Sequence, residues 1–228
     1  MTDSGQKKIL IICYSFSGQT NGLLRRLQSA LEAQGHLVTR ERLATDPPLR
    51  FPVGNFPSTI KMMLTTFVRC RVPIQEISPA CKEKHDLIIL AGPTWSYNPS
   101  GPILSLIDRD GPQLFAGQTV LPLISCRGYW RCHWWGLKQL LSKCGAKLPN
   151  NMVFSHPNPE PWRTIGVFLK IAGRTPERVP WLSKHYSRFG HSRSQQDEAE
   201  RFGTILGQAL SKGTSLEELD FRNPLALP

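Results

Sequence analysis

The chain has 228 residues, of which 40% are hydrophobic and 20% are charged, which is the composition of a globular protein rather than a disordered or fibrous one. Its length suits a single domain with one elaboration, and no run of about 18 uncharged apolar residues predicts a transmembrane helix. The net charge of +11 favours anionic partners such as nucleotide phosphates, acidic lipids or nucleic acid, without choosing among them.

The first half of the chain alternates between buried strands and helices. Residues 8–14 (KILIICY) form an almost continuous apolar run, which is typical of a strand buried on both faces of a parallel sheet. Apolar side chains at helical spacing over 23–31 predict a helix, and the more polar 36–43 predicts an edge strand. Residues 44–57 hold four prolines and predict a loop, and 60–68 return to helical spacing.

The pattern continues in the second half. Residues 86–91 (DLIILA) predict a third strand, a helix follows around 103–107, and 118–125 (QTVLPLIS) predict a fourth strand. Helical spacing over 134–144 and a last apolar run at 151–156 complete the series. Strands that alternate with helices predict an α/β fold, a doubly wound five-stranded parallel sheet with right-handed crossovers.

The stretch 156–193 interrupts this pattern before the last helix, which we predict to start with Ser194 as its N-cap. We interpret 1–228 as one domain, 156–193 as an insertion within it, and 214–228 as a loose C-terminal tail. The insertion has seven basic residues against two acidic ones. It also carries the aromatic residues Trp162, Phe168, Trp181, Tyr186 and Phe189.

Such a mixture suits a cover or docking surface rather than part of a ligand cradle. It could be a lid over a planar ligand, a groove for nicotinamide phosphates, or a contact with an anionic membrane surface. The alternative is an extra packing layer, for example at a homodimer interface.

Metal sites and secretion are not expected. The six cysteines include no CxxC pair and no iron–sulfur spacing, and the histidines show no HxxE or HExxH spacing. The apolar run after Lys8 is short, rich in β-branched residues and followed by a glycine-containing turn, so it predicts a strand rather than a signal peptide. We therefore expect a cytoplasmic protein without disulfides.

The loop after the first strand has the features of a phosphate site. A phosphate needs backbone N–H groups that converge at a helix N-terminus, short hydroxyls, and a glycine where the chain turns tightly. The loop lacks GxxxxGK[ST] and GxGxxG, so it is neither a P-loop nor a dinucleotide fingerprint. A capped turn without a ligand is the alternative. The candidate residues are Ser15, Phe16, Ser17, Gly18, Gln19, Thr20 and Asn21.

This loop resembles the flavodoxin phosphate loop, in which a hydroxyl residue is followed by x-[ST]-G-x-T. The stretch after the third strand resembles the flavodoxin and quinone-reductase segment that walls the isoalloxazine ring of FMN. The resemblance implies that Trp95 is a stacking face or wall and that Thr94 and Asn98 are polar anchors, although Trp95 could simply pack between helices. The candidates here are Pro93, Thr94, Trp95, Ser96, Tyr97 and Asn98.

The loop after the fourth strand would bracket the pyrimidine side of the ring. It is commonly acidic in flavodoxin carriers, whereas this chain has Arg127, a cation close to where negative charge would develop on reduced flavin. Arg127 could also be a solvated side chain, and Cys126 is more consistent with a packed thiol than with a nucleophile. The candidates are Ser125, Cys126, Arg127 and Gly128.

The resemblance covers about 7–156 and the last helix. It implies an FMN-dependent NAD(P)H oxidoreductase that passes electrons to a quinone-like or other small acceptor, with NAD(P)H as reductant. The alternatives are an electron-transfer flavodoxin that serves a redox partner protein, and a biosynthetic accessory protein with a specialised substrate. Nucleic acid is not expected as a partner, because the sequence has no RRM, helix-turn-helix or zinc-finger signature. Membrane contact and a homodimer stay open.

Overall fold

The computed structural model describes residues 5–186 and 188–227. Five parallel strands are hydrogen-bonded in the order β2-β1-β3-β5-β6, and the two-residue strand β4 pairs antiparallel with the end of β3. This architecture confirms the predicted doubly wound sheet of five parallel strands. The strands are β1 (Lys8–Cys13), β2 (Leu37–Arg42), β3 (Leu87–Trp95), β4 (Asn98–Pro99), β5 (Val120–Cys126) and β6 (Met152–Ser155).

Seven α-helices among the described residues surround this sheet. They are α1 (Gln19–Ala33), α2 (Phe56–Phe67), α3 (Gly101–Phe115), α4 (Trp130–Lys143), α5 (Trp162–Ile171), α6 (Pro180–Ser183) and α7 (Arg193–Lys212). No helix within the described ranges has both the length and the apolar character needed to cross a bilayer.

Side-chain alternation along the strands creates two cores. In β1, Ile9 and Ile11 pack with α1 and α7 on one face of the sheet, whereas Leu10 and Ile12 pack with α3 and α4 on the other. All four side chains are fully buried, as the continuous apolar run predicted. The helices cover the two faces of the sheet. The carboxyl ends of the parallel strands lie together at one edge, outside these layers.

Gly203 determines how closely α7 approaches α1. A Cβ at this position would lie 2.6 Å from the Leu27 carbonyl oxygen and 2.8 Å from the Ala30 Cβ. We expect Gly203→Ala to lower the free energy of unfolding by about 1–3 kcal/mol, because the clash is partly with backbone. Gly22→Ala on α1 is the matched control, since its Cβ would meet only the Gln196 side chain at 3.6 Å. Chemical denaturation of both variants tests this, and equal effects would contradict it.

The last helix begins two residues earlier than predicted. Ser192, not Ser194, is the N-cap: its hydroxyl accepts from the Gln195 N–H, and the Gln195 side chain accepts from the Ser192 N–H at 3.0 Å. Both serines are compatible with a cap, but only Ser192 has a glutamine three residues on, which completes a capping box.

The segment predicted as a loose tail is packed over its described part, 214–227. Phe221 and Ala226 are buried, and Phe221 contacts Phe202 of α7 with ring centroids 5.1 Å apart. The Ser155 N–H donates to the Ala226 carbonyl at 2.8 Å. The tail is therefore ordered because it supplies an apolar side chain to one core and covers the outer edge strand β6.

Residues 156–193 contain α5 and α6, and they lie between β6 and α7 in the chain. Tyr186 is buried against α5 at Gly166, where a Cβ would come within 2.2 Å of the tyrosine ring. Glycine at this position therefore lets α5 lie directly on Tyr186.

Candidate functional site

A cleft opens at the carboxyl ends of β1, β3 and β5. It contains about 850 Å³ of empty space, counting the part open to solvent. The order of the sheet reverses between β1 and β3, and ligands of doubly wound sheets bind at this switch point. The lining residues are Phe16, Ser17, Gln19, Thr20, Phe51, Met62, Met63, Thr66, Pro93, Thr94, Trp95, Ser96, Ser125, Cys126, Arg127, His156, Val167, Phe168, Ile171 and Phe189.

The loop after β1 provides polar groups without partners at the N-terminus of α1. Gly18, at the N-cap position, has a φ of 82°, and no side chain caps the helix. The Ser15 hydroxyl is buried and has no hydrogen-bond partner within the described ranges. Thr20, in the first turn of α1, is buried and lines the cleft. An uncapped helix N-terminus flanked by hydroxyls is suited to an anion such as a phosphate.

Ser15, Gly18 and Asn21 of this loop are not among the residues that line the cleft. The Asn21 side-chain oxygen accepts a hydrogen bond from the Arg40 guanidinium at 2.7 Å, which ties α1 to β2. Asn21 therefore lies on the side of α1 that faces β2 and not on the cleft, and its role as a cofactor ligand stays a prediction.

The segment after β3 is a tight hairpin held by α2. Ser96 and Tyr97 both have positive φ, 43° and 72°, as a two-residue hairpin turn with the right-handed strand twist requires. The Ser96 hydroxyl lies 2.7 Å from the Thr66 hydroxyl and donates to the Met63 carbonyl at 3.1 Å. These bonds hold a backbone conformation that is unfavourable for side chains other than glycine.

Asn98 and Tyr97 lie outside the cleft, contrary to prediction. The Asn98 amide oxygen accepts from Arg69 at 2.8 Å, and its nitrogen donates to the Thr66 and Phe67 carbonyls. Asn98 thus satisfies carbonyls at the end of α2 and has little capacity left for a ligand. Tyr97 packs edge-to-face on Tyr129 at 5.3 Å and lines an adjoining groove.

Trp95 is both packed and part of the cleft wall. Its ring makes edge-to-face contacts with Tyr14 and Phe16, each at 5.6 Å between centroids. Neighbouring Thr94 has its hydroxyl 2.7 Å from Nδ1 of His133. Burial lowers the pKa of His133 to about 3, so this imidazole is neutral and orients the threonine.

The loop after β5 places Ser125, Cys126 and Arg127 on the cleft. Burial raises the pKa of the Cys126 thiol to about 11, which agrees with a packed thiol and argues against a nucleophile. Gly128 does not line the cleft. Its φ is 111°, and a Cβ there would lie 2.9 Å from the Arg163 guanidinium, so glycine is needed for this close passage.

Arg127 is a partly desolvated cation without a carboxylate partner. Its guanidinium lies 5.2 Å from the centroid of the Phe168 ring and donates one long hydrogen bond, 3.4 Å, to the Thr164 hydroxyl. No ion pair to Arg127 is found in the part of the chain that the structure describes. Burial lowers its pKa, since the charged form is poorly solvated there. An anion near the cleft rim would relieve this cost.

Parts of the cleft wall that we did not predict come from α2, from the proline-rich loop before it and from 156–193. Five side chains of 156–193 line the cleft, although we predicted this segment to be a cover rather than part of the cofactor cradle. Which of the two roles it has stays a prediction. Phe189 stacks on Phe51 at 5.7 Å, and Phe51 contacts Phe16 at 5.2 Å. The insertion's aromatic content was a usable signal, whereas Phe51, in a proline-rich loop, offered none. The unpredicted lining residues are Phe51, Met62, Met63, Thr66, His156, Val167, Phe168, Ile171 and Phe189.

Buried histidines connect the cleft to α7 and the insertion. Nε2 of His191 lies 2.8 Å from the Ser125 hydroxyl, and His156 lies 3.2 Å from the Tyr186 hydroxyl. Burial lowers the pKa of His191 to about 4 and that of His156 to about 3. No cluster of three or more metal-ligating side chains occurs in residues 5–186 and 188–227.

Comparison with known proteins finds solved structures with a similar fold but no relative in sequence. No protein-family model matches the chain, and no curated protein is similar to it in sequence. Among solved structures, it is similar to a flavodoxin from the domain Archaea, with a TM-score of 0.50 and 11% identity over 89% of this chain and 98% of that one. It is also similar to a candidate flavoprotein from Bacteroides eggerthii, with a TM-score of 0.50 and 19% identity over 64% of this chain and 86% of that one.

These likenesses, at 11% and 19% identity, show the fold, which in this chain is a doubly wound parallel sheet with a cleft at its topological switch point. The chain therefore has the flavodoxin-like fold.

Proposed function

We propose that the chain binds FMN in this cleft and acts as an oxidoreductase. The observation that carries the proposal is the buried Ser15 hydroxyl, which has no hydrogen-bond partner among the described residues and belongs to the loop that leads into the uncapped N-terminus of α1. A buried hydroxyl that makes no hydrogen bond is costly, and a phosphate at this position would satisfy it together with the free N–H groups of the helix. With no dinucleotide fingerprint, a single phosphate is favoured over a pyrophosphate, hence FMN over FAD.

The residues of the cleft suit the parts of this cofactor. Thr20, which lines the cleft in the first turn of α1, would hold the phosphate together with Ser15 of the preceding loop, and Trp95 with the hairpin after β3 would wall the ring. Arg127 would lie toward the side that becomes negative on reduction. FMN, when bound, supplies transfer of electrons singly or in pairs, and the chain supplies orientation, a water-poor apolar wall and this cation.

A second groove favours an enzyme over an electron carrier. It is lined in part by Leu64, Phe67 and Tyr129, and it shares Met63 and Arg127 with the cleft. A small acceptor could therefore lie next to the cofactor, whereas a carrier needs only an exposed ring edge. We propose NAD(P)H as reductant and an apolar, quinone-like molecule as acceptor, by analogy with flavoproteins of this fold.

The test is the visible spectrum of the purified protein after incubation with FMN and gel filtration. We expect a retained yellow cofactor with quenched fluorescence, which bleaches when NADH or NADPH is added anaerobically and recovers with a soluble quinone. A protein without saturable FMN binding would overturn the proposal. Bound FMN that is reduced only by a partner protein would support the carrier instead.

Arg127→Gln is expected to lower the reduction potential of bound FMN by about 30–60 mV. One cation near the developing charge contributes a few kcal/mol at an effective dielectric constant of about 20, and about 30 mV corresponds to 1.4 kcal/mol for two electrons. Arg131→Gln is the matched control, because Arg131 is exposed and stacks on Trp130 instead. Spectroelectrochemistry measures both variants. Equal potentials in Arg127→Gln and the parent would show that Arg127 does not tune the cofactor.

A further inference from the structure

Helix α2 exposes its apolar side to solvent. Phe56, Ile60, Leu64, Phe67 and Val68 follow one another at spacings of four, four, three and one, so they share one helical face. Between 51% and 68% of the surface of each residue is exposed. The only fully buried residues of α2 are two threonines. This arrangement reverses the usual amphipathic pattern, and a contiguous apolar face of this kind marks an interaction surface. We call these five residues the α2 ridge.

The ridge leads into the cleft. Leu64 and Phe67 form one side of the second groove, and the rest of its apolar lining is Met63, Phe168 of α5 and the half-exposed Tyr97 and Tyr129. The groove shares Phe168 with the cleft itself. The exposed apolar surface is therefore continuous from α2 to the candidate cofactor site.

The chain around the ridge is basic and lacks acidic residues. No Asp or Glu occurs from 47 to 75, a stretch that contains Arg50, Lys61, Arg69 and Arg71. Arg50 and Lys61 are exposed and make no ion pair within the described ranges. Exposed Arg174 follows Gly173, which contacts Gly54 just before α2. In the sequence, the ridge is therefore flanked by basic residues and has no acidic residue close to it.

We propose that the α2 ridge docks on the surface of an anionic lipid bilayer. A helix with exposed phenylalanine and leucine, flanking cations and neighbouring tyrosines is the combination that lies in a membrane interface. Anionic lipids attract each basic residue near the surface, which adds to the burial of the ridge in the acyl boundary. The sequence pointed to the insertion for such a contact, but the exposed apolar face is on α2, with α5 beside it.

A second copy of the chain suits this surface less well. A symmetric dimer through the ridge would bring Lys61 and Arg50 of both copies together in a protein with a net charge of +11. Like charges at an interface are unfavourable, whereas an anionic bilayer neutralises them.

Docking through the ridge would turn the second groove toward the bilayer. A lipophilic acceptor could then pass from the membrane to the cleft without crossing water. This consequence rests on the proposed function, but the docking does not, because it involves α2 and its flanking cations and no cofactor.

The test is sedimentation of the cofactor-free protein with vesicles of phosphatidylcholine alone or with 30 mol% phosphatidylglycerol, at 0.1 M and 0.5 M salt. We expect binding to the phosphatidylglycerol vesicles at 0.1 M salt, little binding to phosphatidylcholine alone, and weaker binding at high salt. Ile60→Gln with Leu64→Gln, and Arg50→Glu with Lys61→Glu, should each lower the partition coefficient about tenfold or more.

Two control variants match these changes at the opposite end of the sheet. Leu37→Gln replaces an exposed leucine at the start of β2, and Lys84→Glu with Lys147→Glu reverses two exposed lysines before β3 and beside the start of β5, which changes the net charge by the same four units. Both controls should bind vesicles as the parent does. Circular dichroism and FMN titration of every variant separate a loss of docking from a loss of fold or of the proposed cofactor site.

Two results would overturn the proposal. One is equal vesicle binding by the ridge variants and the controls, which would make the attraction a general effect of net charge. The other is no vesicle binding, with sedimentation velocity showing a dimer that Leu64→Gln dissociates, which would assign the ridge to a second copy of the chain.

Discussion

Replacing Ser15 by alanine and Thr20 by valine is expected to weaken FMN binding by about tenfold to a hundredfold for each hydroxyl removed. Each change deletes a donor to a charged phosphate, and such a hydrogen bond contributes roughly 1.5–3 kcal/mol. Thr20 lines the cleft in the first turn of α1, and Ser15 is buried beside it in the same loop. Both changes leave the backbone N–H groups of the helix in place, so the double variant should retain weak binding.

The stability of the cofactor-free protein provides a second measurement. The Ser15 hydroxyl is buried and has no hydrogen-bond partner among the described residues, so alanine there removes an uncompensated polar group. Ser15→Ala should therefore leave the cofactor-free protein as stable as the parent or more stable. A loss of FMN affinity without a loss of stability would identify the hydroxyl as a ligand rather than a structural group.

Fluorescence quenching of FMN during titration measures the affinities. Ser142→Ala and Thr204→Val make the same chemical changes on α4 and α7, where Thr204 only bonds the carbonyl one turn back. These controls should bind FMN as the parent does. Unchanged affinity in both Ser15→Ala and Thr20→Val would mean that the phosphate lies elsewhere.

The strands and the turn of the loop after β1 could be predicted because their signals are local. A strand buried on both faces, such as β1, needs an almost unbroken apolar run. The loop from Ser15 to Thr20 combines hydroxyls and Gly18 directly before a helix, and the positive φ of Gly18 is the conformation that glycine permits. Nothing distant has to be known to predict either feature.

The hairpin after β3 could not be predicted, because its conformation is imposed from outside. Ser96 and Tyr97 lack the Asn-Gly or Gly-Gly character that marks such turns in sequence. Their positive φ values are maintained by bonds from Ser96 to α2, about 30 residues away in the chain. The hydrogen-bond partners of Asn98 could not be predicted for the same reason, since they are at the end of α2.

Helix α2 shows the limit of periodicity as a guide. Its apolar spacing correctly predicted a helix over most of its length, but the usual inference, that the apolar face is the buried one, is wrong here. The helix packs through Thr59 and Thr66 instead. The spacing of apolar residues in the sequence shows which of them share one helical face. Whether that face is buried depends on the neighbours that the tertiary fold places against it.

Lowering the pH from 7.5 to 5.5 is expected to reduce the free energy of unfolding by about 4 kcal/mol. Burial lowers the pKa of His133 and His156 to about 3 and that of His191 to about 4, each from an ordinary value of 6.5. At pH 5.5 all three are neutral in the folded chain but mostly protonated in the unfolded chain. Each histidine then favours unfolding by about 1.4 kcal/mol.

The sign follows from proton uptake. Between the folded and the unfolded pKa values, the unfolded chain binds more protons, so stability is fully present above about pH 7 and is lost as the pH falls. The effect should already be measurable above pH 5.5, where aspartate and glutamate remain ionised in the unfolded chain. Urea denaturation at half-unit intervals of pH gives the slope.

His133→Gln should reduce this slope by about one third, because one of the three titrating groups is gone. The absolute stability of this variant is not the readout, because the bond to Thr94 is also altered. The slope is the readout, because only a titrating group contributes to it. A free energy of unfolding that stays constant from pH 7.5 to 5.5 would show that these imidazoles are protonated as readily in the folded chain as in water. In that case His133, His156 and His191 would not be shielded from water and neutral in the folded chain.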